Sequence, residues 1–180
     1  LESLNFEHTV TGPYPATLSG TAALLNRIEP EVDAVIRWDD WSFSGYRVLN
    51  GSVEVRGTAG QYDADYNARV LLPDARELRV AGRATGTTEQ LTAFAAQVES
   101  DWGHADLQGE LAWSPEFSLA ADVQATGMDP AAFVSALSGE LDASTKLKVD
   151  NTGAVTLNAL IIGGVLNDAA IRASGDVLLG

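Results

Sequence analysis

The sequence predicts an all-β chain: a meander of about a dozen antiparallel strands with one short α-helix near 129–138. Three observations predict it. Apolar and polar residues alternate at period two in segment after segment, the pattern of strands with one apolar and one polar face. Breaks rich in Gly, Pro and Asn separate these segments at short intervals. Only Asp129 to Gly139 carries a helix start, an apolar stripe and a helix stop together.

Each element follows in order. Leu4, Phe6, His8 and Val10 share one parity. After the break Gly12-Pro13-Tyr14-Pro15 come Ala16, Leu18, Gly20, Ala22 and Leu24, then Val32, Ala34, Ile36 and Trp38 beyond Glu29-Pro30. "DDWSFSGYRVLNG" is less regular and reads as a loop with a short strand, ending at a turn signal, Asn50-Gly51. Val53 and Val55 follow, and residues 57 to 60 turn the chain into Tyr62, Ala64, Tyr66, Ala68 and Val70. Pro73-Asp74 ends that strand, and Leu78 and Val80 mark the next. "LTAFAAQVESDW" fits both periods, and its strand neighbours favour a strand. Leu107, Gly109, Leu111 and Trp113 alternate up to Ser114-Pro115, then Phe117, Leu119, Ala121 and Val123. In the helix, Asp129 is the N-cap, Pro130 the first residue, and Phe133, Val134 and Leu137 the stripe. Leu141 to Val149 alternates again. Asp150-Asn151-Thr152-Gly153 is a hairpin turn before Val155, Leu157, Ala159 and Ile161. Gly163-Gly164 turns or bulges the chain, and Ile171, Ala173, Gly175 and Val177 complete the pattern.

Composition narrows the functions. A net charge of −14 and a pI near 4.3 argue against nucleic acid, whose phosphates require clustered Lys and Arg. The same charge disfavours anionic membrane surfaces. With no cysteine, the chain has no disulfide, thiolate nucleophile or thiolate metal site. No apolar run reaches the ~20 residues of a membrane span. The start at Leu1 without methionine, and the absence of a signal peptide, lead us to expect a section of a longer protein.

The search for reactive groups returns little. In "QYDADYNARVLLPD", Asp63, Asp65 and Asn67 match the first ligand positions of an EF-hand loop. The turn glycine is replaced by Ala68 and the final Glu by Asp74, so the segment reads as a strand with a wet face. His8 and His104 have no metal-ligand spacing. Asp39-Asp40 are adjacent and read as solvated turn acids. Nucleophile elbow, phosphate loop and dinucleotide fingerprint are all missing, so we expect no enzyme, no metal and no cofactor. Trp38, Trp41, Trp102 and Trp113 fit either sheet packing or the lining of an apolar ligand site.

"LQGELAWSPEFSLAADVQATGMDPAAFVSALSGELDASTKL" resembles the TamB family, through Gly109-Glu110-Leu111-Ala112-Trp113-Ser114-Pro115, Gly127-Met128-Asp129-Pro130 and Gly139-Glu140-Leu141 in that order. "RWDDWSFSG" followed by "NGSVEVRGTAGQYDADYNARV" is similar to a recurring segment of the same family. The similarity runs from about residue 37 onward. It implies an elongated curled antiparallel sheet, a β-taco or repeating β-groove with an apolar concave face, in a periplasmic protein of a diderm bacterium anchored in the inner membrane. It also implies phospholipid acyl chains as cargo and an Omp85-type, TamA-like outer-membrane barrel as partner. On this reading residues 1–180 form a single elongated groove segment with a possible repeat junction near 126–140.

The groove lining then falls on the apolar parity: Tyr62, Tyr66, Val70, Leu78, Val80, Leu107, Leu111, Phe117, Leu119, Val123, Leu141, Leu147, Val155, Leu157, Ile161, Ile171 and Val177. This parity carries no Lys or Arg. Its small residues (Ala64, Ala68, Ala121, Ala143, Ala159, Ala173) leave less side-chain volume than a packed sandwich needs, which favours a groove. Two other functions stay open: a scaffold for outer-membrane protein assembly that pairs client strands at sheet edges, and a closed sandwich acting as a spacer.

Overall fold

The computed structural model describes residues 3–12, 14–23, 30–43, 45–58 and 60–179. It contains β1 (Leu4–Val10), β2 (Ala16–Ala23), β3 (Glu31–Phe43), β4 (Tyr46–Gly57), β5 (Tyr62–Leu71) and β6 (Glu77–Gly86). Then come β7 (Gln90–Ser100), β8 (Gly103–Ala112), β9 (Ser118–Met128), β10 (Gly139–Val149), β11 (Val155–Leu166) and β12 (Ala169–Leu179). Sheet order equals chain order, so the architecture is an all-β antiparallel meander of twelve strands. The chain divides at Leu91/Thr92 into two compact units, and residues 126–140 lie inside the second.

Short turns account for the meander. At β10–β11 the Asp150 carboxylate accepts the Thr152 N–H at 2.8 Å, and the Asp150 N–H reaches the Ala154 carbonyl at 3.2 Å. At β11–β12 the two loop residues Asn167 (φ 48°) and Asp168 (φ 64°) both adopt the left-handed conformation, as a tight hairpin requires. The ambiguous segment 91–100 is strand, as its neighbours suggested.

Three expectations are corrected. The helix expected at 129–138 is a single 3-10 turn, Pro130–Ala132. Asp129 does cap it, accepting the Ala131 N–H at 2.9 Å. The turn does not propagate, because a stripe of seven residues must bury its apolar side to hold a helix. Phe133 and Val134 stay 60% and 52% exposed, and the Phe133 ring meets Trp102 edge-on at 5.1 Å. Asn50-Gly51 is not a turn but mid-strand in β4, where Gly51 pairs with Trp38 and Ala68. A Cβ there would run into the Trp38 indole, so the glycine serves close packing. Finally, neither unit is strongly curled. Ala34, Ala64, Ala84 and Ala121 are buried strand residues, and among the described residues no large side chain is fully buried. A tightly closed taco would bury its inner side chains.

Period two is also interrupted in a regular way. Antiparallel pairing keeps the sum of partner numbers constant, and a change by one marks an extra residue. In β11 the change falls between Leu157↔Val177 and Leu160↔Gly175, with Ala159 at φ 52°. In β9 it falls between Ala125↔Ala143 and Met128↔Leu141, with Gly127 at φ 60°. In β3, Asp40 (φ 53°) lies between Trp38↔Gly51 and Trp41↔Val48, and β4 supplies the compensating residue Leu49.

Candidate functional site

Cross-strand partners lie on the same side of a sheet, so the registers define the faces. In the first unit, His8, Leu18, Ile36, Val53, Tyr66 and Gly82 form one row across β1–β6. Phe6, Gly20, Ala34, Val55, Ala64 and Ala84 form the next row. Trp38, Gly51, Ala68 and Val80 lie on the other side of the first. None of these rows holds an Asp, Glu, Lys or Arg. The strands β1 and β2, which precede the region of resemblance, therefore continue the face of β3–β6.

The second unit repeats the arrangement. Leu111, Leu119, Val149 and Val155 share a row. So do Gly109, Ala121, Leu147, Leu157 and Val177, and then Ala105, Ala125, Ala143, Ile162 and Ala173. These rows are also free of charged side chains. Ala34, Ala64, Ala84 and Ala121 lie deepest, from 5% exposed at Ala121 to 8% at Ala64, while Leu147, Leu157 and Ile162 are half-buried.

The opposite face is wet. Lys146 pairs with Asp122 at 2.7 Å, Arg69 with Glu77 at 2.8 Å, and Arg56 with Glu54 at 3.2 Å. Asp63 accepts the Thr85 hydroxyl at 2.7 Å and Asn67 donates to Ser52 at 2.8 Å. The EF-hand look-alike is thus one polar strand face, and among the described residues no cluster of three His, Asp or Glu could hold a metal. Asp39 and Asp40 are no catalytic pair: Asp40 takes a two-pronged bond from Arg47, which lowers its pKa. His104 meets Asp106 at 2.9 Å, and that bond first, then Gln97, lowers the Asp106 pKa.

Within each unit the described residues form sequentially paired strands, with no α-helix among them to lie over the apolar face. A charge-free apolar face left half-exposed in each unit is a candidate interaction surface. It still withdraws groups from water: burial raises the pKa of Tyr62 and Tyr66 above the usual tyrosine range.

Of the expected lining, Tyr62, Tyr66, Val70, Leu78 and Val80 share the apolar face of the first unit. Leu107, Leu111, Leu119, Val123, Leu141, Leu147, Val155, Leu157, Ile171 and Val177 share that of the second. Phe117 precedes β9 and is 44% exposed. Ile161 is on the opposite face, paired with Ser144 and Ser174 and 42% exposed. The Ala159 bulge reverses parity, so Leu160 and Ile162 take the apolar side instead. The run Ala159-Leu160-Ile161-Ile162 was the available signal, because it is apolar on both parities. Also missed was Met128, beyond the β9 bulge, while Trp38 and Trp41, read as either sheet packing or ligand lining, were left out of the expected lining.

No helix among the described residues is long and apolar enough to cross a membrane. No curated protein and no solved structure matches the chain. A family model described as "TamB, N-terminal domain" matches residues 1–179. With that match over nearly its whole length, the chain belongs to the TamB family, the non-enzymatic periplasmic transport and assembly proteins of diderm bacteria that act with TamA.

Proposed function

We propose that the chain is a periplasmic section of a bridge-like lipid transporter, whose apolar face shields phospholipid acyl chains moving between inner and outer membrane. The observation that carries this reading is a half-exposed face, free of charge along every paired row of each unit among the described residues. A ~16-carbon chain left in water costs on the order of 12 kcal/mol at ~0.8 kcal/mol per methylene. An open sheet covers one side of such a chain, offsetting roughly half of that cost. A neighbouring chain lying alongside covers more. A charged side chain in the path would be a barrier. The polar face, with its ion pairs and net negative charge, keeps so much apolar surface in solution.

The alternative is assembly of outer-membrane proteins with an Omp85-type barrel. Such a scaffold would pair a client strand with backbone edges of the sheet.

Photo-crosslinking residues at Leu119 and Leu157 test the first reading, with Asp122 and Ile161 as opposite-face controls. Ile161 matches the groove positions in chemistry and differs in face. Phospholipid adducts at the first pair alone are expected. Adducts to protein alone would overturn the lipid reading in favour of the assembly scaffold.

A further inference from the structure

We propose that Asp176 is a positioning residue that sets which side chains of β11 face the apolar side of the sheet, and that Asp142 does the same for β9. The purpose assigned to this device rests on the lipid-shielding reading; the device itself does not.

The chemistry begins with an unstable backbone. Ala159 lies at φ 52°, a left-handed conformation that a residue with a side chain rarely adopts unaided. A bulge also leaves the extra residue outside the ladder, with its N–H unpaired. Here that N–H donates to Asp176 Oδ1 at 2.7 Å. Asp176 lies on β12 directly across from the bulge, between Gly175 and Val177. On the other side, the preceding carbonyl, that of Asn158, accepts the Thr145 hydroxyl at 3.1 Å. The same relation recurs in β9. Gly127 has φ 60°, and its N–H donates to Asp142 Oδ1 at 3.0 Å from the following strand, β10. Two bulges of one geometry, each held by an aspartate of the next strand, form a repeated device rather than an isolated irregularity.

The consequence is a change of face. Below the β11 bulge, partner numbers sum to 334, as in Leu157↔Val177; above it they sum to 335, as in Ile162↔Ala173. One uninterrupted ladder holds only one of these registers. A one-residue slip sends every later side chain to the other face. The bulge is therefore what keeps Leu157 and Ile162 on the same side.

The chain has no cysteine, so paired cysteines report register cleanly. Two versions of the full chain carry cysteines at 157 and 177, or at 162 and 173, and are closed with a short bifunctional thiol reagent. A slip of one residue places one thiol on the wrong face, so it blocks closure. In the parent both pairs close. In Asp176→Ala one of the two is lost. Asp176→Asn keeps both, because its amide oxygen accepts the same bond. Removal of Ala159 from the Asp176→Ala chain restores both, since the extra residue is gone and no cap is needed. Both pairs closing in Asp176→Ala would overturn the proposal. So would loss of both pairs that removal of Ala159 does not repair. Lipid takes no part in these readings, so failure of the crosslinking experiment above would leave this result standing.

Discussion

The indole of Trp38 stacks on that of Trp41, with ring centroids 4.8 Å apart and planes at 20°, although the two are three positions apart on a strand. Regular alternation would send the two to opposite faces. The left-handed residue Asp40 between them restores a common face, and Arg47 clasps its carboxylate across the hairpin. Trp41 is further tied by its Nε1 donating to the Pro15 carbonyl at 2.7 Å and by the Tyr14 ring edge-on at 5.9 Å. The Trp38 ring lies flat over Gly51.

That seat makes Gly51→Ala a test of close packing. The added methyl would meet the indole on one side and the Asn67 carbonyl oxygen at 2.8 Å on the other. Overpacking of this kind costs about 1–3 kcal/mol. In a Trp38→Ala background part of the clash is relieved, so the double mutant should show a coupling of about 0.5–3 kcal/mol in denaturant unfolding. An equal cost in both backgrounds would mean that the indole does not set the requirement for glycine.

The strands were legible because period two is imposed directly by backbone geometry. Every apolar residue from Tyr62 to Val80 named as lining shares one face for that reason. What escaped was where the count changes. A left-handed residue is not confined to glycine, as Asp40 and Ala159 show. Ile161 was assigned to the wrong face, while Leu160 and Ile162 went unnoticed, because the bulge is held by Thr145 and Asp176, which are remote in sequence. Asn50-Gly51 carried a turn signature that the Trp38 indole overrode. The helix expected after Asp129 had its cap and proline in place, and those local signals produced a 3-10 turn. Its apolar stripe lacked a surface large enough to extend it.

The face assignment separates two substitutions of identical chemistry. Leu157→Arg puts a cation onto the charge-free side, beside Leu147 and Val177. Ile161→Arg puts one onto the wet side, beside Ser144 and Ser174. A penalty of about 1.4 kcal/mol against an apolar cargo is a tenfold loss of occupancy. We expect Leu157→Arg to lower lipid occupancy, read as photo-crosslinked phospholipid at Leu119, by about tenfold or more. Ile161→Arg should leave it at the parent level. Far-ultraviolet circular dichroism checks that both variants keep the sheet. Equal occupancy in the two would remove the basis for assigning cargo to this face.

Tyr62 and Tyr66 give the apolar face a titration signal of its own. Burial disfavours the phenolate, so both folded-state pKa values lie above the ordinary value of about 10. The sign follows from linkage. The folded state binds the phenolic protons more tightly than the unfolded state does. That contribution is fully present below about pH 10 and is lost as pH rises through the folded values. Denaturant stability should therefore fall on the alkaline side, and Tyr66→Phe should flatten part of that fall. A bound phospholipid would withdraw both rings further from water and move their phenolate absorbance to still higher pH. An unchanged titration in the presence of phospholipid, with the lipid shown to be bound, would mean that it occupies a surface other than the Tyr62–Tyr66 face.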